Sequence, residues 1–538
     1  MKKEFKHALL ILSLMIFAPL SFSGQHAASE PAIETSKQTS EYSGLKQAFK
    51  VAVENRLADD AVGQTAKLFA ADGASFDEFG FSVSISGNTA IVGAYGASAT
   101  NADQGVAYIF VRTNSIWSFQ QKLTASDGAV NDLFGFGVAI DGDTVVVGAA
   151  QDNIGMNDEQ GSAYIFVRSG TTWTEQQKLV ASDGDANDFF GENVSIDGDT
   201  VVVGAYGGNI AADEHRGSAY VFVRSGTTWT QQQRLTASDG QINDGLGFDV
   251  AIDGDTVIAG AWHDEIGGNN SQGSAYVFTR SGTTWTQQQK LIASDGSAAD
   301  TFGISVAIEN DTAIVGAFFG TVGGVRRGSA YVFVRSATVW TEQQKLFASD
   351  GSNGDEFGRS VAISGNTAIV GAGDDDGGSN IGQGSAYIFT RNGTTWTEQQ
   401  RLIASDRTSG AHFGVSVATS GNKIIVGAVR ADVSMSSLFG PEAEDQGAAY
   451  VFVSKFSVSG RVLAPDGVSG VSNATVQMTL ANGGTLTSRS SSFGYYRFDD
   501  VEADQTVTMS VNSKRFQFTP QMVMVNGNLV NVDLIAQP

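Results

Sequence analysis

Four aromatic residues occupy the same point in four copies of a repeated pattern, each directly after a Gly-Ala pair: Tyr95, Tyr206, Trp262 and Phe318. Rings carried on loops can stack on a sugar face or clamp a peptide, or they can pack their own loop onto the scaffold below. His263 follows Trp262, beside Asp264 and Glu265, and His215 follows Asp213 and Glu214 in the neighbouring loop. Imidazole and carboxylate together suit a transition metal, and they also suit solvated loop positions. Arg430 opens the longest of these loops and adds a cation. The candidate ligand-binding set is therefore Tyr95, Tyr206, Trp262, His263, Phe318 and Arg430.

Asp374, Asp375 and Asp376, followed by Gly377, read as half of a calcium loop. They lack the alternating spacing and the terminal Glu that complete one. Calcium on these three carboxylates is a second metal the sequence raises. An Asp also lies two residues before six of the Phe-Gly (or Leu-Gly) pairs, at Asp77, Asp132, Asp188, Asp244, Asp300 and Asp355. A short carboxylate there is expected to accept backbone N–H groups in the turn.

Catalytic signatures are absent. The chain has no Gly-x-Ser-x-Gly elbow, no His-Glu-x-x-His, no phosphate-cradling glycine loop and no cysteine. Its formal charge of −24 opposes nucleic acid and anionic membrane as partners. An extracellular protein or a glycan remains the expected partner, and the chain is expected not to be an enzyme. An alternative class is a polysaccharide-active enzyme with its site at the mouth of a central channel.

The elements that would carry these residues come from seven copies of one unit, spaced 55 or 56 residues apart. Phe-Gly recurs at Phe79, Phe134, Phe190, Phe302, Phe357 and Phe413, with Leu246-Gly247 in the fourth copy. Gly-Ala follows at Gly93, Gly148, Gly204, Gly260, Gly316, Gly371 and Gly427. Each copy reads as four short strands: an alternating run after Phe-Gly, a β-branched run, a run such as Gly-Ser-Ala-Tyr-Val-Phe-Val-Arg, and a Trp-containing run. Tight corners such as Asp197-Gly198-Asp199 join the first two. The seventh copy lacks its fourth strand, while an orphan Lys67-Leu68-Phe69-Ala70 opens the array and matches the end of one. The fold expected is all-β, a closed seven-bladed β-propeller whose two ends share a blade, because closure removes exposed strand edges.

The Phe-Gly and Gly-Ala pattern resembles the FG-GAP repeat of integrin alpha-subunit propellers, and more closely the secreted bacterial versions. That resemblance implies a propeller acting in adhesion or binding. The calcium loop found between the first two strands of many integrin repeats is replaced here by corners such as Ser86-Gly87-Asn88 and Asp253-Gly254-Asp255. These are too short to offer six or more oxygens, so the family's calcium chemistry is not expected.

Residues 1–23 have Lys2, Lys3 and Lys6 ahead of an apolar stretch and end Ser21-Phe22-Ser23, as a cleavable signal peptide does. The stretch is too short for a comfortable membrane span, so a secreted, extracellular or periplasmic protein is expected. Residues 24–63 read as a polar leader with a short helix over 42–57, and 64–455 as the propeller. From 456 to 538 the pattern changes, with Val458-Ser459-Gly460-Arg461-Val462, Pro465-Asp466-Gly467 and Gly494-Tyr495-Tyr496-Arg497-Phe498. This segment resembles the carboxypeptidase regulatory-like domain, a small Ig-like or transthyretin-like β-sandwich that is an accessory module. Comparing the seven copies, the corners are near-identical and the connections after Gly-Ala vary, which marks one face as the working surface.

Overall fold

Runs such as Thr200–Ala205 and Thr256–Ala261 are buried at every position, so each must be a strand covered on both faces. A sheet built around such a run needs a neighbour on either side, and a ring of sheets supplies both. A computed structural model describes residues 62–538 apart from 209–214, 377–380, 407, 433–444 and 504. The expected signal peptide, the leader up to residue 61 and its helix over 42–57 lie outside the described residues.

Seven four-stranded antiparallel units are present. The fourth is representative: Leu246–Asp253, Thr256–Ala261, Ser274–Ser281 and Thr284–Leu291 pair in sequence order from the inside outward. The seventh is assembled from both ends of the array. Phe413–Ser420, Lys423–Ala428 and the first half of Ala448–Leu463 are completed by Val62–Leu68, with Lys67 opposite Tyr450 and Leu68 opposite Ala449. The innermost strands pack in order, and Phe413–Ser420 meets Val83–Ser86 of the first blade. The ring is closed, and the expected pairing of the two ends is found. The closing strand includes Val62 and Gly63, which the sequence pattern places in the leader.

Backbone contact between blades explains the repeated dipeptides. A Cβ added to Gly260 would stand 1.9 Å from the Gly303 carbonyl oxygen of the next blade. The same clash recurs at every junction, including Gly427 against Gly80 where the ring closes. Gly303 itself has φ +96°, which L-residues rarely adopt. The six Asp residues ahead of Phe-Gly or Leu-Gly behave as expected: Asp77 accepts the Ala74 N–H at 2.8 Å, and Asp300 the Ser297 N–H at 2.7 Å.

Side chains add three further belts of inter-blade bonds. At the short corners, the Gly198, Gly254 and Asn310 N–H groups donate to Asp141, Asp197 and Asp253 of the preceding blade at 2.9, 2.6 and 2.7 Å. On the outer strands, Gln233 both accepts from the Trp285 N–H and donates to its carbonyl, at 2.8 Å each. Lys290 and the Tyr276 hydroxyl share Asp239 on the link from the previous blade. Lys67, Tyr450 and Asp406 repeat that triad at the closing blade.

The third strand of the seventh blade does not stop at the propeller. Ala448–Leu463 is one strand: beyond Lys455 it pairs with Tyr495–Glu502, and its end runs parallel to Leu534–Ile535. The boundary expected between 455 and 456 therefore falls inside a continuous strand. A second sheet, ordered Thr485–Arg489, Thr475–Thr479, Gln505–Asn512 and Gln521–Val525, faces it across a core of Val458, Val476, Met478, Phe498 and Met509. Arg112 of the first blade reaches Glu502 at 2.5 Å and ties this small sandwich to the ring.

Two measurements check this architecture. Deleting residues through Ala71 should markedly lower the melting temperature or cause aggregation, while deleting 24–60 should leave melting unchanged. Gly260→Ala should cost about 3 kcal/mol or more in denaturant unfolding, because a backbone carbonyl cannot yield to the new methyl.

Candidate functional site

The residue after each Phe-Gly or Leu-Gly pair lies just before or near the start of the innermost strand and lines the central channel. In order these are Phe81, Phe136, Glu192, Phe248, Ile304, Arg359 and Val415. Together with Trp262 and Phe318 they form the rim of a funnel of about 410 Å³. Below the rim lies a polar tier of Ser82, Asn193, Asp249, Ser305, Ser360 and Ser416, and below that a tier of valines. Most of the polar tier is committed to bonds between blades. Ser305 and Ser360 donate to the Gly358 and Gly414 carbonyls at 2.8 Å, and the Val306 N–H donates to Asp249 at 2.7 Å.

Glu192 is different. Only 9% exposed, its carboxyl makes no hydrogen bond or ion pair with the described residues, and burial pushes it up to about 8. Asp249 is pushed up by burial to about 7, although the N–H groups of Val306 and Val250 both donate to it and favour the charged form. Arg359 is paired with Glu356 at 2.8 Å and stands 5.8 Å over the Phe318 ring. The funnel thus offers aromatic faces, one committed cation, and two carboxyl groups that hold protons near neutral pH.

Across Arg359 the funnel continues into a cleft of about 280 Å³ that includes Glu78, Tyr95, Asp374, His412 and Arg430. Tyr95 donates to Glu78, and burial raises its phenol well above its ordinary value. His412 contacts Asp374 at 2.6 Å, which holds that carboxyl below its usual range. Burial raises the Glu356 carboxyl. Arg430 is exposed.

The six candidates from the sequence therefore separate. Trp262 and Phe318 reach the funnel, and Tyr95 and Arg430 reach the side cleft. Tyr206 borders neither; it stacks on Phe189 at 5.2 Å and meets Phe248 edge-on at 5.5 Å. His263 lies on Trp262, with ring centres 3.6 Å apart, and its Nδ1 is 2.9 Å from the Ser271 hydroxyl. The rings are not free tips: Tyr95, Tyr206 and Trp262 are half-buried and Phe318 is 9% exposed. Each packs on a neighbouring residue or the residue that follows a Phe-Gly or Leu-Gly pair, in three clusters: Phe81 with Tyr95 and Phe136, Phe189 with Tyr206, Phe248 and Trp262, and Phe318 with Phe319.

The acidic candidates separate too. Asp374 turns to His412, Asp375 to Arg401 and Tyr387 at 2.8 and 2.7 Å, and Asp376 accepts the Gly382 N–H at 2.9 Å. Asp264 turns inward to Lys290 and Ser274, away from His263. Asp213 and Glu214 lie outside the described residues. Among the described residues, no group of three or more His, Asp or Glu side chains could hold a metal ion.

Sequence reading missed Glu192, Asp249 and Arg359. The available signal was the position itself. The residue after Phe-Gly is apolar in five copies and charged in two, and a charge facing a narrow channel is costly unless used.

Seven four-stranded units in a closed ring around such a funnel define a seven-bladed β-propeller. The FG-GAP repeat matches at residues 62–110, 117–166, 173–222, 229–278, 285–333, 340–389 and 396–452. That is most of the chain, which belongs to the FG-GAP repeat family. A comparison with curated proteins finds no match.

The raised carboxyl of Glu192 gives a signed pH dependence. The folded state holds its proton up to about pH 8, whereas the unfolded chain releases it near its ordinary value of 4.5. Between those values the folded state binds more protons, so stability falls as pH rises through the window. Glu192→Gln should flatten the melting profile from pH 5 to 8 and raise the melting temperature at pH 8.

Proposed function

We infer that this protein is a secreted, non-enzymatic binding or adhesion protein that engages an extracellular protein or a glycan through the variable loop face of its propeller. The observation that carries this reading is the contrast between the two faces. One is closed by near-identical corners bonded blade to blade, as at Gly254 with Asp197. The other opens into the aromatic funnel and its charged side cleft, bordered by connections that differ in length and composition. A rigid ring presenting variable loops is a geometry suited to recognition. Aromatic surface with a few fixed polar groups is what sugar and peptide sites commonly use.

The C-terminal sandwich, which resembles a carboxypeptidase regulatory-like domain, serves as a spacer in this reading. Its continuous strand with the last blade gives it a fixed attachment. The charged, Lys-led stretch at residues 1–23 supports export through a cleavable signal, which N-terminal sequencing of the mature protein would test. Calcium on Asp374, Asp375 and Asp376 receives no support from their separate partners.

A second reading draws on one observation. Glu192 and Asp249 both hold protons near neutral pH, and a carboxyl of that kind can serve as a general acid in glycoside cleavage. A hydrolase screen run beside glycan-array and pull-down binding separates the two. Product formation lost in Glu192→Gln would favour the enzyme.

For the binding reading, Trp262→Ala should weaken ligand binding by about 1–3 kcal/mol with the fold intact. Tyr206→Ala should change melting more than affinity, since Tyr206 packs beside the funnel rather than in it. Binding unaffected by Trp262→Ala but lost on changing the Asp253-Gly254 corner would place the working surface on the opposite face.

A further inference from the structure

The junction between the sixth and seventh blades lacks a side chain that five other junctions share. Trp173, Trp229, Trp285, Trp340 and Trp396 each lie buried between blades at 2% exposure. Each indole N–H donates to a glutamine of the preceding blade: Trp285 to Gln232 at 2.8 Å and Trp340 to Gln288 at 2.9 Å are typical. An arginine lies over each indole face, as Arg280 does over Trp285 at 5.1 Å, and its guanidinium reaches a threonine of the preceding blade.

In the closing blade, Val62 occupies the tryptophan's place. The equivalence is set by hydrogen bonds. Gln400 accepts from the Val62 N–H and donates to its carbonyl at 2.9 Å each, as Gln344 does with Trp396. Ser454 occupies the place of the stacking arginine, one residue beyond the strand position matching Thr390. Both large groups of the Arg–Trp pair are therefore missing at one junction, and a cavity of about 250 Å³ stands there.

The residues that would have served an indole are still in place. Gln399 corresponds to Gln343, which accepts the Trp396 indole N–H at 3.2 Å. Here Gln399 only donates to the Thr397 carbonyl at 3.2 Å, and it is exposed where its counterparts are half-buried. Thr367 corresponds to Thr312, which holds Arg391 at 2.9 Å and is 5% exposed; Thr367 is uncovered to an intermediate degree. Ile388, Ile424 and Phe456 supply apolar walls. Thr390, Gln400, Asn422 and Ser454 complete a lining of mixed character, and about 250 Å³ leaves room for a bicyclic ring.

We propose that the slot at Val62, Gln399 and Ile388 is a binding site for an indole-class ligand, a planar aromatic ring carrying one N–H donor. Its apolar walls take the ring, and the Gln399 side-chain oxygen takes the N–H, as the same groups do for tryptophan at the sister junctions. The Gln400 amide is already occupied by Val62, so no further strand backbone can be held there, and the ligand is a free ring rather than an added β-strand. The slot is bordered by Gly421 and Asn422 of a short corner, and so lies apart from the channel mouth. The proposal stands or falls independently of the function assigned to that mouth.

The test is saturation-transfer NMR and calorimetry on the full chain, with indole, N-acetyltryptophanamide and naphthalene as probes. Indole should bind, naphthalene should bind more weakly for want of the N–H, and Gln399→Ala should weaken indole roughly fivefold. Val62→Trp should fill the slot, raise the melting temperature and abolish indole binding. A folded wild-type chain that binds no indole would overturn the proposal, as would indole binding unchanged in both Val62→Trp and Gln399→Ala. If Val62→Trp does not fold, Gln399→Ala with the naphthalene comparison decides alone, since that exposed side chain bears little on folding. N-acetyltryptophanamide separates the sources: binding equal to indole admits a tryptophan side chain as ligand, and its failure beside bound indole restricts the site to the free ring.

Discussion

The structure rests on the approach of one glycine backbone to another across each blade junction. Gly260 against Gly303, and Gly427 against Gly80, leave no space for a single methyl between the chains. Because the inner strands meet this closely, the ring is narrow at its centre and the residues after Phe-Gly are forced to share one small funnel. The same closeness buries the second strand of every blade, as in Thr256–Ala261, apart from its first residue in the sixth and seventh blades, Thr367 and Lys423, and so accounts for its run of β-branched and small residues. Side-chain ties such as Lys290 to Asp239 add to a geometry that the glycines already impose.

A ring built this way separates scaffold from surface. Corners must repeat, since each passes a hydrogen bond to the next, as Asp141, Asp197 and Asp253 do. The connections on the other face are tied to the next blade near their ends, as where the Phe302 N–H donates to the Gln272 carbonyl at 2.9 Å, and differ in length and composition before that point. Their aromatic residues nonetheless have a structural part. Tyr206, Phe248 and Trp262 form one contact series around the rim, so shape at the mouth is set jointly by neighbouring blades. A ligand there meets a preorganised surface, which lowers the entropic cost of binding.

Seven near-equal copies also make departures legible. Glu192 and Arg359 break an apolar ring at the channel, and Val62 with Ser454 breaks the Arg–Trp series at the closing blade. The second break follows from how the ring is closed. The outer strand of the seventh blade comes from the start of the array, and Val62 stands where the indole would be. The cavity left behind sits beside Phe456, on the strand that carries the chain into the C-terminal sandwich.

The sequence by itself determined the repeat, the four strands of each copy and the shared last blade. The Phe-Gly and Gly-Ala pairs, the Asp-Gly corners and the orphan Lys67-Leu68 are local signals repeated at a fixed period. It also determined the turn role of Asp77 and its counterparts, since a carboxylate bonding three residues back is a local interaction. Tertiary structure alone decided which of the loop aromatics face a cavity. Tyr206 and Trp262 occupy equivalent positions, yet one stacks beside Phe189 and the other reaches the funnel. It alone brought Glu192, Asp249 and Arg359 together, from three blades separated by more than fifty residues each. Their protonation depends on how deeply the ring buries them, and burial is a property of the closed circle rather than of any one repeat.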